Sequence, residues 1–247
     1  ITPTNILIKK QSNHGAANVD AIAVGNATLF LQRAKRKIRE LAYNFDVDGY
    51  LAPDMTILAE HVTEGGITQM AYQQEPNQII YAVRGDGELI GLTYQREQQV
   101  TAWHRHVFGG VFGSGKAICE SVAVIPTDDT EYEVYVIIKR TINGATKRYI
   151  EVLNTFDFTT TDNTTFNFLD SQLSYSGSST TTLSGLSHLE GQTVSILADG
   201  ATHPDKTVSS GSITLDRAVT KAKVGLSYDS ILQTMRLDAG AQNAPPK

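Results

Sequence analysis

The stretch that decides the fold is IIYAVRGDGELIGLTYQREQQVTAWHRH, residues 79–106. Apolar and polar residues alternate, break at Gly85-Asp86-Gly87, alternate again and break once more before Val100. A period of two between turn residues is the mark of β-strands that expose two different faces. The segment therefore reads as three consecutive antiparallel strands, with Arg84 just before the first turn. The same order recurs on both sides of it. Upstream, residues 18–45 give a short apolar strand at Ala21–Val24, a turn at Gly25-Asn26, a strand at Leu29-Phe30-Leu31 and a third at Ile38–Tyr43. Downstream, residues 117–153 give Val122–Ile125, a polar turn at Thr127-Asp128-Asp129, Val134-Tyr135-Val136 and Thr146–Val152. In the middle copy the strands are Met70–Tyr72, Ile79–Tyr81 and Glu88–Tyr94, with a turn at Glu75-Pro76-Asn77 and a fourth strand at Val100–Val107 carrying Trp103.

Each second strand runs into a basic residue, Arg33, Arg84 or Arg140, at steps of 51 and 56 residues. A period of about 50 residues with three or four strands per unit is that of propeller blades. One small meander leaves both of its faces uncovered, and radial stacking lets each cover its neighbour. Three copies do not close a propeller, which typically takes about four to eight. The chain also begins ITPTN with no initiator Met. The expectation is a piece of a longer protein that supplies the missing blades, or an open arc.

Pro53, Leu58, His61 and Val62 predict a short helix over 54–63, stopped by Gly65-Gly66. GGVFGSGK, residues 109–116, is a glycine-rich loop tip. Composition shifts to Thr, Ser and Asn after Leu153. Beyond it, Val194–Leu197, the turn Asp199-Gly200, Ile213–Leu215 and Lys223–Leu226 predict five or six short strands in a small barrel or sandwich. The expected architecture is all-β: a partial β-propeller of about three blade-like repeats over 1–155, a small β-barrel or sandwich over 156–238, and a disordered tail over 239–247.

Of 247 residues, 40% are hydrophobic, and the net charge is -5. An acidic balance argues against a general binder of nucleic acid or anionic membranes. No apolar run is long enough to span a bilayer. Cys119 is the lone cysteine, so no intrachain disulfide exists, and its strand context predicts a buried, inert thiol.

Four groups carry chemical signals. His104 and His106 place two imidazoles on one strand face, the spacing of a metal pair, but no third ligand stands at a matching distance. They read as surface or interface histidines beside Trp103. Asp46 and Asp48 in FDVDG open like a calcium loop, but Tyr50 and Leu51 follow and no closing Glu appears, so turn chemistry is expected. Gly110, Gly115 and Lys116 have phosphate-loop spacing, yet Ala117 stands where the magnesium-binding hydroxyl belongs and a strand follows. Arg33, Lys35, Arg36, Lys37 and Arg39 form the one basic cluster, a candidate contact to DNA in a channel or to a neighbouring subunit, or a solvated hairpin. Neither a catalytic constellation nor a metal or cofactor site emerges.

The succession RAKRKIRELAYNFDVDGYLAPDMTILAEHV (33–62), QIIYAVRGDGELIGLTYQREQQVTAWHRH (78–106) and SVAVIP (121–126) resembles the tail tubular, or nozzle, proteins of short-tailed bacteriophages and related prophages. The resemblance spans about residues 1–155. LSHLEGQTVSILADGATHPDKTVSSGSITLDR (186–217), with GLSYDSILQTM after it, resembles the small β domain that follows in the same proteins. It is also similar to the first catalytic cysteine half-domain barrel of ubiquitin-activating enzymes, but holds no cysteine, so no thioester chemistry transfers. The resemblance implies a non-enzymatic virion protein. It would form a homo-oligomeric ring, commonly sixfold, with other tail or head–tail connector proteins, around the channel of DNA ejection. Contact with passing DNA would be transient and non-specific, and no membrane would be involved. The rival expectation is a carbohydrate-binding or adhesin module using Trp103, Tyr94 and Tyr72 as a sugar platform.

Overall fold

The computed structural model describes residue 10 and residues 12–127, 131–155 and 159–234. These form an all-β structure of antiparallel sheets. The expected tail over 239–247 lies outside the described residues, as do 156–158 at the expected domain boundary and Asp128-Asp129 of the third repeat's turn.

Three meanders follow one another. The first comprises β1 (Ile22–Val24), β2 (Ala27–Leu31), β3 (Ile38–Asn44) and β4 (Gly49–Leu51). The second comprises β5 (Ile67–Gln73), β6 (Ile79–Arg84), β7 (Leu89–Gln95) and β8 (Val100–His106). A hairpin of β9 (Val111–Phe112) and β10 (Gly115–Lys116) intervenes, at the glycine-rich segment read as a loop tip. The third comprises only β11 (Ile118–Pro126), β12 (Tyr132–Ile142) and β13 (Ala145–Leu153).

Alternation explains how they stack. In β6, Ile80 and Ala82 join a core with Leu29, Leu31 and Ile38 of the first meander. Their neighbours Tyr81 and Val83 join a second core with Val122, Val134, Val136 and Ile138 of the third. IIYAV, read as the start of an alternating stretch, is instead a nearly continuous apolar run, because a strand buried on both faces has no solvent side. Gln69 ties β5 to β11: its amide nitrogen donates to the Val122 carbonyl at 2.9 Å, and its oxygen accepts from the Val122 N–H at 3.2 Å.

The joints between meanders also repeat. Ile67 N–H donates to the Lys35 carbonyl at 2.7 Å, and Cys119 N–H donates to the Gly87 carbonyl at 2.8 Å. Lys35 to Gly87 and Ile67 to Cys119 are each a step of 52 residues, and both acceptors have positive φ, 63° and 87°. The turn between strands two and three of each meander thus holds the first strand of the next. The three arginines are not equivalent. Arg33 lies beyond the end of β2, Arg84 ends β6, and Arg140 sits inside β12 three residues before the turn at Asn143. The repeat belongs to the strands and joints and not to the three arginines, of which only Arg84 pairs within its own turn.

The helix expected over 54–63 does not form. Asp54 bridges Arg39 across the first sheet, its carboxylate accepts from Thr56 N–H and Oγ1–H, and Lys37 pairs with it at 2.8 Å. The chain then turns through three-residue bonds, Ala59 N–H to Thr56 O and Val62 N–H to Ala59 O. Ala59 and Val62 reach the core while Leu58 is 91% exposed, so the apolar spacing serves successive turns instead of one helical face.

Among the described residues the second unit has four strands, where five or six were expected. They are β14 (Asp170–Ser184), β15 (Thr193–Ala198), β16 (Ala201–Thr207) and β17 (Ser212–Leu226), ordered β14-β17-β15-β16. Ile213–Leu215 and Lys223–Leu226, read as separate strands, are the two ends of β17. Register shifts between Ser176 and Thr182 bend its partner, so one long pair does the work of two short ones. Asp199-Gly200 forms the expected tight hairpin, with φ of 48° and 77°. Its core, including Leu183, Val194, Ile213 and Val224, also takes in Ile142 from the end of β12.

Candidate functional site

β8 and β13 line opposite parts of a cleft of about 1480 Å³ that reaches the second unit at Asp170 and His188. Within β8 the side chains separate by parity. His104 and His106 point to the face shared with the third meander. Trp103 points to the other face, packs against the first core and donates its indole N–H to the Met55 carbonyl at 2.9 Å. The structure therefore does not bring Trp103, His104 and His106 together as one aromatic interface, because neighbours in a strand face opposite ways.

The two histidines do form a cluster, and two residues outside the sequence-level selection complete it. Their rings lie edge to face with centroids 4.8 Å apart, and Tyr81 lies 5.6 Å from His106. Gly91 pairs directly with His104, and a Cβ there would stand 2.2 Å from its Nε2, so the missing side chain is what lets the ring lie across β7. The Nε2 of His106 is buried without a hydrogen-bond partner. Burial, and then the neighbouring His104, hold His106 down at about 4; burial alone lowers His104. Burial raises the Tyr81 phenol to about 12, and its hydroxyl reaches Gln73 Oε1 at 3.4 Å. The cluster is thus neutral at pH 7. Among the described residues no group of three or more His, Cys, Asp or Glu side chains is placed to hold a metal ion.

A pH dependence follows. The folded state binds His106's proton more weakly than the unfolded chain, whose ordinary value is 6.5. Its contribution to stability is present above 6.5 and is lost as pH falls through about 4. The loss is expected on the order of 3 kcal/mol. His106→Phe should flatten that part of the stability profile, read as urea midpoints at pH 7 and 4.5. Equal slopes for both proteins would mean the ring is solvated.

The basic cluster divides as well. Lys37 pairs with Asp54 and Glu60, and Arg39 donates to Gln32 Oε1 and the Ala52 carbonyl. These two hold the hairpin against the segment after β4. Arg33, Lys35 and Arg36 stay exposed on the turn between β2 and β3, with no side-chain ion pair among the described residues.

The aromatic platform residues lie in or against one core: Tyr94 is 2% exposed, and Tyr72 and Trp103 are half-buried. Asp46 and Asp48 occupy a turn, where Asp48 accepts from the Tyr43 hydroxyl. The strand β11 follows the glycine-lysine hairpin directly, so no helix N-terminus faces it. Cys119 is 1% exposed, and burial pushes its thiol up to about 12, which leaves it without thiolate character at neutral pH. No helix among the described residues is long and apolar enough to cross a membrane.

No family model matches the chain, and no curated protein matches it.

Proposed function

We propose that the chain is a non-enzymatic structural component of a phage tail, part of a nozzle ring around the DNA exit channel. Its three meanders would be consecutive blades of an incomplete β-propeller, and its second unit a small barrel-like domain. One observation carries the proposal. The middle meander is covered on both faces, whereas the outer two each leave one face open. On the first, Tyr43 and Tyr50 are 49% and 46% exposed; on the third, Ile125, Ile150 and Val152 are 49%, 73% and 45% exposed. Open apolar faces at both ends of a repeating stack are what further blades or neighbouring subunits would cover. The resemblance of residues 1–155 to tail tubular proteins points the same way. Arg33, Lys35 and Arg36, free on one turn, would supply weak, salt-sensitive contact with DNA or a neighbouring subunit. A virion location and partnership with connector proteins belong to the same proposal.

The test is the mass, by light scattering on a sizing column, of this chain and of a parent protein that would carry the further blades, with images of the assembled species. A ring with a central hole is expected. A parent that stays monomeric at every concentration and with its virion neighbours present would overturn the proposal.

A further inference from the structure

The first two meanders end in a fourth strand, β4 or β8, paired to the third. The third meander does not: after Leu153 the chain leaves the sheet, and the next strand, β14, pairs in another one. Among the described residues nothing pairs with the outer edge of β13, which runs for nine residues. Which backbone groups it offers follows from the turn. Asn143 and Gly144, with φ of 48° and 70°, make a two-residue hairpin closed by the pair Ile142–Ala145. In such a hairpin the closing pair is hydrogen-bonded, and pairs alternate from there. The N–H and carbonyl groups of Thr146, Arg148, Ile150 and Val152 therefore point away from β12. Two of these four residues, Ile150 and Val152, are also exposed aliphatics. A free edge with apolar side chains is a template for another strand.

The same chain carries a segment that follows β17 and joins no sheet. Residues 228–234, YDSILQT, belong to no ladder. They run along the mouth of the cleft lined by β13, with Ile231 87% and Leu232 88% exposed. Such exposure means that the segment's own body does not cover it.

We propose that the free edge of β13 is a strand-docking site occupied by residues 228–234 of a second copy of this chain. The contact is head to tail: each copy donates its segment to one neighbour and accepts from another. That geometry closes into a ring where the rotation permits and otherwise propagates. The incoming strand stands where β4 and β8 stand in the first two meanders. Since Ile231 and Leu232 are adjacent, they face opposite ways. One joins Ile150 and Val152 on the open face, and the other covers the cleft side near Leu153. Main-chain bonds supply affinity and the aliphatic pair fixes register. The proposal rests on the reading that copies of the chain assemble with one another.

The experiment uses the full chain and two variants. Ile150→Pro removes an outward N–H while leaving the β12 ladder intact, since proline is tolerated on an edge. Ile231→Asp/Leu232→Asp alters only the unpaired segment. The wild-type mass should rise with concentration, and each variant alone should run as a single chain. An equimolar mixture of the two should run at twice the single-chain mass, because one intact edge meets one intact segment. Amide exchange at Thr146, Arg148, Ile150 and Val152 should slow as wild-type concentration rises.

Variants that associate like the wild type, or a mixture that stays monomeric while the wild type associates, would overturn the proposal. So would concentration-independent protection of those amides in a monomer, which would mean the segment folds onto its own edge. If Ile150→Pro fails to fold, the segment variant decides alone, by losing the wild-type association or keeping it. A parent ring that survives both variants would leave the tail function standing and refute the strand contact. Strand exchange between copies of this chain with no ring formed by any larger protein that carries it would do the reverse.

Discussion

Replacing Glu151 with alanine is expected to destabilise the protein by about 3–5 kcal/mol, because it strands a buried guanidinium. The Arg140 side chain is fully buried inside β12. Its Nη1 and Nη2 donate to the two carboxylate oxygens of Glu151 on β13, and its Nε donates to the Gly109 carbonyl at 2.7 Å. Gly109 in turn donates its N–H to Asp170 at 2.6 Å. This one guanidinium therefore joins the third meander, the connection ahead of the β9–β10 hairpin and the start of β14. Alanine removes the one carboxylate bonded to it among the described residues and leaves a fully buried positive charge without that partner. At roughly 2–4 °C per kcal/mol for a chain of this size, Tm should fall on the order of 10 °C.

Glu151→Gln keeps an acceptor and should cost less. Pairing Arg140→Met with Glu151→Leu removes both charges and should recover much of the loss, as replacement of a buried ion pair by apolar side chains often does. A loss under about 1 kcal/mol for the alanine variant, from thermal and urea unfolding, would mean that Arg140 finds water or another anion in solution.

Arg140 also shows where sequence stops being informative. It stood out as the third of three periodic arginines, and that periodicity misled. Arg84 ends a strand, pairs with Asp86 and Glu88 on its own turn and donates to the Val62 carbonyl, whereas Arg33 is exposed on a turn. An arginine looks the same in a one-dimensional pattern whether it closes a hairpin locally or reaches across three segments. The strands were legible because alternation and turn residues are local. Asp199-Gly200 announced a tight hairpin, whereas the burial of Ile79–Val83 on both faces was masked by reading the stretch as alternating. The turns after Asp54 were not, because Asp54 is committed by Lys37 and Arg39, distant in sequence, before helical spacing can act.

The histidine cluster was half legible. His104 and His106 at i and i+2 had to share a face. That Tyr81 and Gly91 lie beneath them depends on the register of β6, β7 and β8, which no short motif states. The free edge of β13 was less legible still, since it consists of a fourth strand that is missing after Leu153 among the described residues.

Gly87→Val is expected to open the joint between the second and third meanders, at a cost of about 2–5 kcal/mol from backbone strain and overpacking together. Gly87 has φ of 87°, a region a β-branched residue occupies only under strain. A Cβ there would also stand 2.3 Å from Cγ2 of Ile118, the first residue of β11. Its carbonyl accepts the Cys119 N–H that starts the third meander. The substitution therefore strikes the turn, the packing across the joint and the joint's hydrogen bond together. Lys35, 52 residues earlier, holds the corresponding position with a side chain and φ of 63°, so the conformation alone is tolerated there. The difference is Ile118: at the first joint Lys35 lies against Gly66, which has no side chain to meet it. Gly87→Asn, which accepts positive φ but still needs room for a Cβ, should recover the strain component and leave the steric one. Amide exchange separates the two meanders. Protection in β11 should fall most, while β2 and β3, joined through Lys35 and Ile67, keep theirs. Uniform loss across all three meanders would mean that the stack unfolds as one unit and that the repeated joint is not a point of independent weakness.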